Sequence, residues 1–207
     1  MIEIKKGKPP AFWSNFVKRY PKLTYKRLYF GKGGTDLPKA IRQHMLVEQG
    51  YLCAYCCKRM DFRHSHNEHI RPQAFYKQES MNYRNLVCSC ITQGAKATCG
   101  MRKNNLYDEK RFISPTMHNC ERHFSFREDG RIIGTTKEGK YTVELLNLNA
   151  FALLTARKQL FLELQKAGEI GKDFLIDTYT KKDKDKLPPF LDMTRFFLQK
   201  GYFDEMD

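Results

Sequence analysis

Apolar residues recur at helical spacing near both ends of the chain, and that periodicity breaks up in the middle. "AFWSNFVKRY" carries Phe12, Trp13, Phe16 and Tyr20 at helical spacing, which predicts a helix over 11–20. "GKGGTD" (31–36) reads as a flexible turn. Pro38 suits the first turn of a second helix, with Thr35 or Asp36 as cap, running through "KAIRQHMLVEQ" to Gly50. Residues 1 to 8 read as a short strand. "HFSFREDGRIIG" (123–134) alternates about Asp129-Gly130 and predicts a hairpin. From Asn147 the helical period returns in "LNAFALLTARKQLFLELQKAG" and "GKDFLIDTYT". After a charged hinge, "KKDKDKLPP", it returns once more in "FLDMTRFFLQKGYF".

The last of these segments places Phe190, Met193 and Phe197 on one face, with Leu191, Phe196 and Leu198 elsewhere round the axis. A helix apolar over so much of its circumference must bury more than one side. Two covers are open: the chain's own core, or a partner protein for a helix that the hinge lets stand apart. The pattern as a whole predicts an α+β protein, mostly helical, with a polar centre and a small hairpin. It divides into an N-terminal helical region (1–50), a central unit (51–110) and a hairpin with a helical C-terminus (111–207).

Charge narrows the function. The chain of 207 residues has 37 Lys+Arg against 23 Asp+Glu, a formal net charge of +14, which favours a polyanionic partner over a neutral one. The start, "MIEIKKGKPP", has no apolar stretch of the kind a secretory signal needs. "AFALLTARKQLFLEL" comes nearest to a membrane span, but Arg157 and Lys158 interrupt it. A cytoplasmic protein with no membrane partner is expected, and there the seven cysteines read as metal ligands rather than disulfides.

Three cysteines and three histidines fall within "CAYCCKRMDFRHSHNEHI", residues 53–70. Cys53 and Cys56 form a C-x2-C pair, the spacing at which a tight turn aims two thiolates at one ion. A structural zinc needs two more ligands. Of Cys88, Cys90 and Cys99, the last two make the best second pair, with Gly94 easing the loop between them. Cys57 points elsewhere, and Cys88 lies on the strand-like stretch "NLVCSC". Cys120 is too distant to place. His44, on the second helix, reads as a solvated or core histidine.

Four thiolates leave "NEHIRP" unexplained. In it a carboxylate, Glu68, adjoins a histidine, His69. At a strand end or in a turn, both side chains can approach one substrate. That pairing suits metal-assisted phosphodiester hydrolysis. The carboxylate holds a hard divalent cation that offsets phosphate charge, and the neutral imidazole takes a proton from water.

"CAYC", "EHIRP", "YRNLVCSC" and "CGMRKNN", in this order, resemble the HNH, or ββα-metal, endonucleases with a supporting zinc. The resemblance covers residues 51 to 105. It implies His69 as general base, Glu68 as ligand of a catalytic Mg2+ or Mn2+, Asn85 as the central asparagine, and Cys53, Cys56, Cys90 and Cys99 as zinc ligands. The chain departs from the family in two places. Eight residues separate the second pair of cysteines, and Gly100 stands where the family often has Asn or His. The third catalytic position is therefore left between Asn104 and Asn105, with Asn104 taken here as a catalytic and metal-binding residue. Arg71, Arg84, Arg102 and Lys103 are the expected contacts to nucleic acid. Lys103, four residues after Cys99, would meet phosphate.

A narrower resemblance, carried by "MIEIKKGKPPAFW", "CAYC", "EHIRPQ", "CG" before Lys103 and "ISP", is to the HNH effector nucleases of Septu and retron anti-phage systems. It implies an ABC-type ATPase partner and, in retron systems, a reverse transcriptase with its msDNA. The other class left open is a zinc-stabilised nucleic-acid-binding module without catalysis. A base beside a carboxylate argues against it, because binding alone has no use for the pair. DNA and structured RNA, tRNA included, both remain as substrates.

Overall fold

The computed structural model describes residues 1–29 and 36–204. Among these residues the chain forms seven α-helices and two small antiparallel sheets, an α+β architecture. Helix α1 (Ala11–Arg19) forms where predicted, but of the predicted apolar face only Trp13 is fully buried, while Phe12 and Tyr20 are exposed. Its Trp13 is buried and donates its indole N–H to the Met81 carbonyl at 3.1 Å. Helix α2 (Leu37–Glu48) has Pro38 in its first turn, as predicted, and the chain turns at Gly50, where φ is +58°. Asp36 occupies the cap position without a side-chain cap bond. Thr35 and most of the predicted turn at 31–36 lie outside the described residues.

Strand β1 (Ser65–His69) pairs antiparallel with β2 (Leu86–Cys90), with Glu68 opposite Val87 and His69 opposite Leu86. Helix α3 (Cys99–Lys103) follows after a loop. The sheet has α2 on one face, where Cys88 Sγ lies 3.5 Å from the Arg42 carbonyl. It has α3 on the other, where Ser89 Oγ accepts the Gly100 N–H at 3.0 Å. Alternation along β1 therefore sends His66 and Glu68 toward α3, and Asn67 and His69 toward α2 and the chain before it.

The predicted hairpin is strands β3 (Phe124–Phe126) and β4 (Ile132–Gly134). Gly130 at its turn has φ +86°, and a Cβ there would lie 2.3 Å from the Leu154 carbonyl oxygen, so the turn packs directly on the helix behind it. Helix α4 (Lys137–Leu145), capped by the Thr136 hydroxyl, has no counterpart in the sequence expectation. Helices α5 (Phe151–Ile170), α6 (Lys172–Thr180) and α7 (Leu191–Gln199) match the predicted C-terminal segments. Arg157, which breaks the apolar run of α5, is fully buried and donates to the Leu148 carbonyl at 2.8 Å, with the Phe126 and Phe190 rings nearby.

Two expectations are corrected here. Residues 1 to 8 run extended without joining a sheet; Ile4 N–H bonds instead to the Pro115 carbonyl at 2.7 Å. Helix α7 does not stand apart. Leu191, Met193 and Phe197 are buried in the chain's own interior, each contributing about 1.5–3 kcal/mol of burial. Asp192 pairs with the Met1 ammonium. The "KKDKDKLPP" segment is tied down as well, since Leu187 N–H bonds to the Gly50 carbonyl at 3.0 Å and Phe190 N–H to the Cys57 carbonyl at 2.8 Å. The chain's own core covers the apolar circumference that had suggested a partner.

Candidate metal centre and active site

Four cysteines from three segments meet at one point. The Sγ atoms of Cys53, Cys56, Cys90 and Cys99 all lie within 4.8 Å of one another, and all four residues are buried. A tetrahedral ion with metal–sulfur bonds of about 2.3 Å places its sulfurs roughly 3.8 Å apart. Cys56 and Cys90 stand at 3.9 Å. The Cys90 backbone N–H points at Cys53 Sγ at 3.4 Å, a donor suited to a thiolate. Burial and its three sulfur neighbours raise the Cys99 thiol well above its ordinary value, while, against burial, its cysteine neighbours lower the Cys53 thiol. The four thiols are placed to hold one metal ion. The other cysteines lie outside the cluster, as expected of Cys57. Cys57 packs with Leu52 and Leu191, Cys88 lies under α2, and Cys120 is buried elsewhere in the core.

Beside this frame, at the unpaired edge of β1, lies a cleft of about 350 Å³ lined by His66, Glu68, His69, Gly100, Asn104 and Asn105, among others. The structure thus brings Glu68, His69 and both candidate asparagines to one cavity. Glu68 is buried, and its Oε1 is held by Lys103 Nζ at 2.8 Å and by the Tyr55 hydroxyl at 3.3 Å. Oε2 is turned toward Gly100.

His69 is also buried. Its ring stands edge-on to Tyr25, with centroids 4.8 Å apart, and its Nε2 lies 2.9 Å from the Ser80 carbonyl oxygen. A carbonyl oxygen only accepts, so Nε2 carries the proton and Nδ1 is the basic nitrogen of the neutral ring. Burial lowers the pKa of His69 below the ordinary histidine value, partly offset by the Ser80 carbonyl.

Asn85 does not line this cleft. Its side chain accepts the Arg71 N–H at 2.8 Å and donates to the Arg71 carbonyl at 3.0 Å and the Glu79 carbonyl at 3.3 Å. It therefore staples the segment after His69 to the turn whose Ser80 carbonyl holds the imidazole.

The four basic candidates divide. Arg84 and Arg102 are exposed. Arg71 is committed to carboxylates, Glu79 at 2.8 Å and Glu109. Lys103, expected to meet phosphate, is buried instead, with its ammonium on Glu68 and 3.0 Å from the His69 carbonyl. Helix α3 turns it inward, and an unpaired buried carboxylate would be costly without it.

Several parts of the site went unnoticed in the sequence: His66, whose signal was its position two residues before Glu68 on one strand face, and Tyr55 and Ser80, which carry no local signal; Gly100 stood out only as a departure from the family, without a role. Among the described residues, no helix is long and apolar enough to cross a membrane.

A thiolate metal frame joined to a cleft holding a carboxylate and a histidine defines a candidate hydrolytic metal centre. No protein-family model matches the chain. It is 27% identical, over 98% of its length and 96% of the relative's, to the "Retron Vc95 putative HNH endonuclease" of Vibrio cholerae. It is 29% identical to the Septu protein PtuB of Bacillus thuringiensis over 72% of this chain and 55% of that protein. It also matches the Septu protein PtuA of Bacillus mycoides, 31% identical over 47% of this chain but only 15% of that longer protein. The resemblance to HNH effector nucleases of retron and Septu systems is borne out by these relatives.

Proposed function

We propose that the chain is a metal-dependent HNH endonuclease that hydrolyses phosphodiester bonds in nucleic acid, as the effector nuclease of a retron- or Septu-type anti-phage complex. The observation that carries this reading is the convergence of Glu68, His69 and Asn104 on one cleft beside a four-cysteine frame. Residues 51–110 would form the zinc-supported ββα-metal core, with β1, β2 and α3 as its parts and the flanking regions 1–50 and 111–207 as its frame. Cys53, Cys56, Cys90 and Cys99 would hold Zn2+ as a structural ion.

In the proposed mechanism His69 is the general base. Its Nε2–H is spent on Ser80, which leaves Nδ1 to take the proton from the attacking water. Its lowered pKa keeps it neutral at physiological pH. Asn85 positions this base through the Arg71 and Glu79 backbone. Glu68, with Asn104, would hold Mg2+ or Mn2+, which when bound offsets charge on the scissile phosphate and the leaving oxygen. Lys103 fixes Glu68 Oε1 and leaves Oε2 facing the cleft side of Gly100. Exposed Arg84 and Arg102 would meet the phosphate backbone.

The match to a Septu PtuB supports a PtuA-like partner; we propose that this partner is a larger, ABC-type ATPase that gates the nuclease. A reverse transcriptase with msDNA would join it in a retron setting.

The test is cleavage of plasmid, single-stranded DNA and tRNA by purified protein, alone and with the partner. His69→Ala should lose about 10²- to 10⁴-fold in rate with zinc content unchanged. The wild-type rate should fall as pH drops through the lowered His69 pKa, so its acidic midpoint should lie below about 6.5. Nucleic-acid binding without cleavage of any substrate, with partner and divalent cation present, would mark a binding module instead.

A further inference from the structure

We propose that His66 is a ligand of the divalent cation in this cleft, paired with Glu68, and that the pair selects a first-row transition cation such as Mn2+ over Mg2+. The inference rests on the reading of Glu68 as a cation ligand and extends it. His66 and Glu68 are two residues apart on β1, so both side chains leave the strand on the α3 face. Both reach the same spot. A Cβ built on Gly100 would lie 2.7 Å from Glu68 Oε2 and 3.0 Å from His66 Cε1. The absence of a side chain at residue 100 is thus what lets the carboxylate and the imidazole share this corner.

His66 Nε2 is buried and makes no hydrogen bond. Buried polar atoms are nearly always partnered, and an orphaned ring nitrogen in a cleft with a carboxylate is aimed at a ligand that accepts its lone pair. Of the charges around it, Glu68 is paired with Lys103 through Oε1, which leaves Oε2 as the second donor. Asn104, on the same cleft, adds a neutral oxygen. One imidazole nitrogen with carboxylate and amide oxygens suits Mn2+ and its neighbours, whereas Mg2+ prefers an all-oxygen shell.

The experiment is Mn2+ titration of zinc-loaded protein by electron paramagnetic resonance, with pulsed detection of nitrogen coupling to the bound Mn2+. Wild type should show imidazole nitrogen coupling, which His69→Ala retains. His66→Ala should lose that coupling and weaken Mn2+ binding by about tenfold or more. It should also bind Mg2+ more nearly as well as Mn2+. His66→Asn, which keeps a polar group of similar reach, should lose the coupling as well and covers the case in which His66→Ala fails to fold. Unchanged coupling and affinity in the folded His66 variant would overturn the assignment. Glu68→Ala then separates the two failures. If it abolishes Mn2+ binding, only His66 is wrongly assigned. If it too binds Mn2+ as wild type does, the cation lies elsewhere and the reading of Glu68 falls with it.

Discussion

Replacing Gly100 by Ala adds one methyl group at the point where the cleft is tightest. The new Cβ would lie 2.7 Å from Glu68 Oε2, 2.8 Å from its Cδ and 3.0 Å from His66 Cε1. Ordinary contact lies near 3.5 Å, so the carboxylate must retreat by about 0.8 Å. It cannot swing freely, because Oε1 is pinned by Lys103 at 2.8 Å and Tyr55 at 3.3 Å. Overpacking of this kind costs about 1–3 kcal/mol, while Ala in a helix gains up to about 1 kcal/mol over Gly. The net loss is then about 0–3 kcal/mol, a melting shift of no more than roughly 12 °C for a chain of this size. The effect on function is larger, since misplacing a catalytic group by about 1 Å costs on the order of 10²-fold in rate. Gly100→Ala should therefore stay folded and keep its zinc, lose about two orders of magnitude in cleavage, and bind Mn2+ more weakly. Melting curves, elemental analysis and a cleavage time course check this together. Wild-type cleavage and Mn2+ affinity in a folded Gly100→Ala protein would refute the placement of the carboxylate.

Three further predictions concern the frame. Wild type should carry one zinc per chain, and Cys99→Ser should lose it and unfold the centre, because binding at such a site is folding free energy; elemental analysis and circular dichroism read both effects. Asn85→Ala leaves the Arg71 N–H, the Arg71 carbonyl and the Glu79 carbonyl without their side-chain partner, so it should cost about 2–4 kcal/mol of stability. Its kcat should fall with KM little changed, and a raised KM at constant kcat would make Asn85 a binding residue. Lys103→Met strands the buried Glu68 carboxylate, at about 3–5 kcal/mol. Mn2+ should raise the melting temperature of Lys103→Met more than that of wild type by replacing the lost positive charge, and equal Mn2+ responses would contradict the pairing.

Local chemistry made much of this legible in advance. Cys53 and Cys56 are three residues apart, and that spacing suffices to form half a metal site in one turn. Helical periodicity located α1, α5 and α7, and Pro38 with Gly50 bracketed α2. Asp129-Gly130 marked the hairpin because only a few residues accept a positive φ there. Helix α4 escaped notice because Gly139, Lys137 and Lys140 dilute its pattern, and its stability comes from the Thr136 cap and the packing of Thr142 and Val143.

Sequence by itself determined the residue types for a thiolate metal site, a carboxylate–histidine pair, and a strongly basic α+β chain. Only the tertiary structure decided how they are arranged. It turned Lys103 inward to balance Glu68, because a buried carboxylate requires a partner wherever the chain can supply one. It made Asn85 a backbone staple and closed α7 against the chain's own core. It also set His66 and Glu68 around the bare Cα of Gly100, a contact between residues 32 or more positions apart. Spacing along the chain reports only which neighbours share a turn or a strand face. Which distant groups share a buried volume depends on the balance of desolvation and packing over the whole core, and no short window of sequence contains that balance.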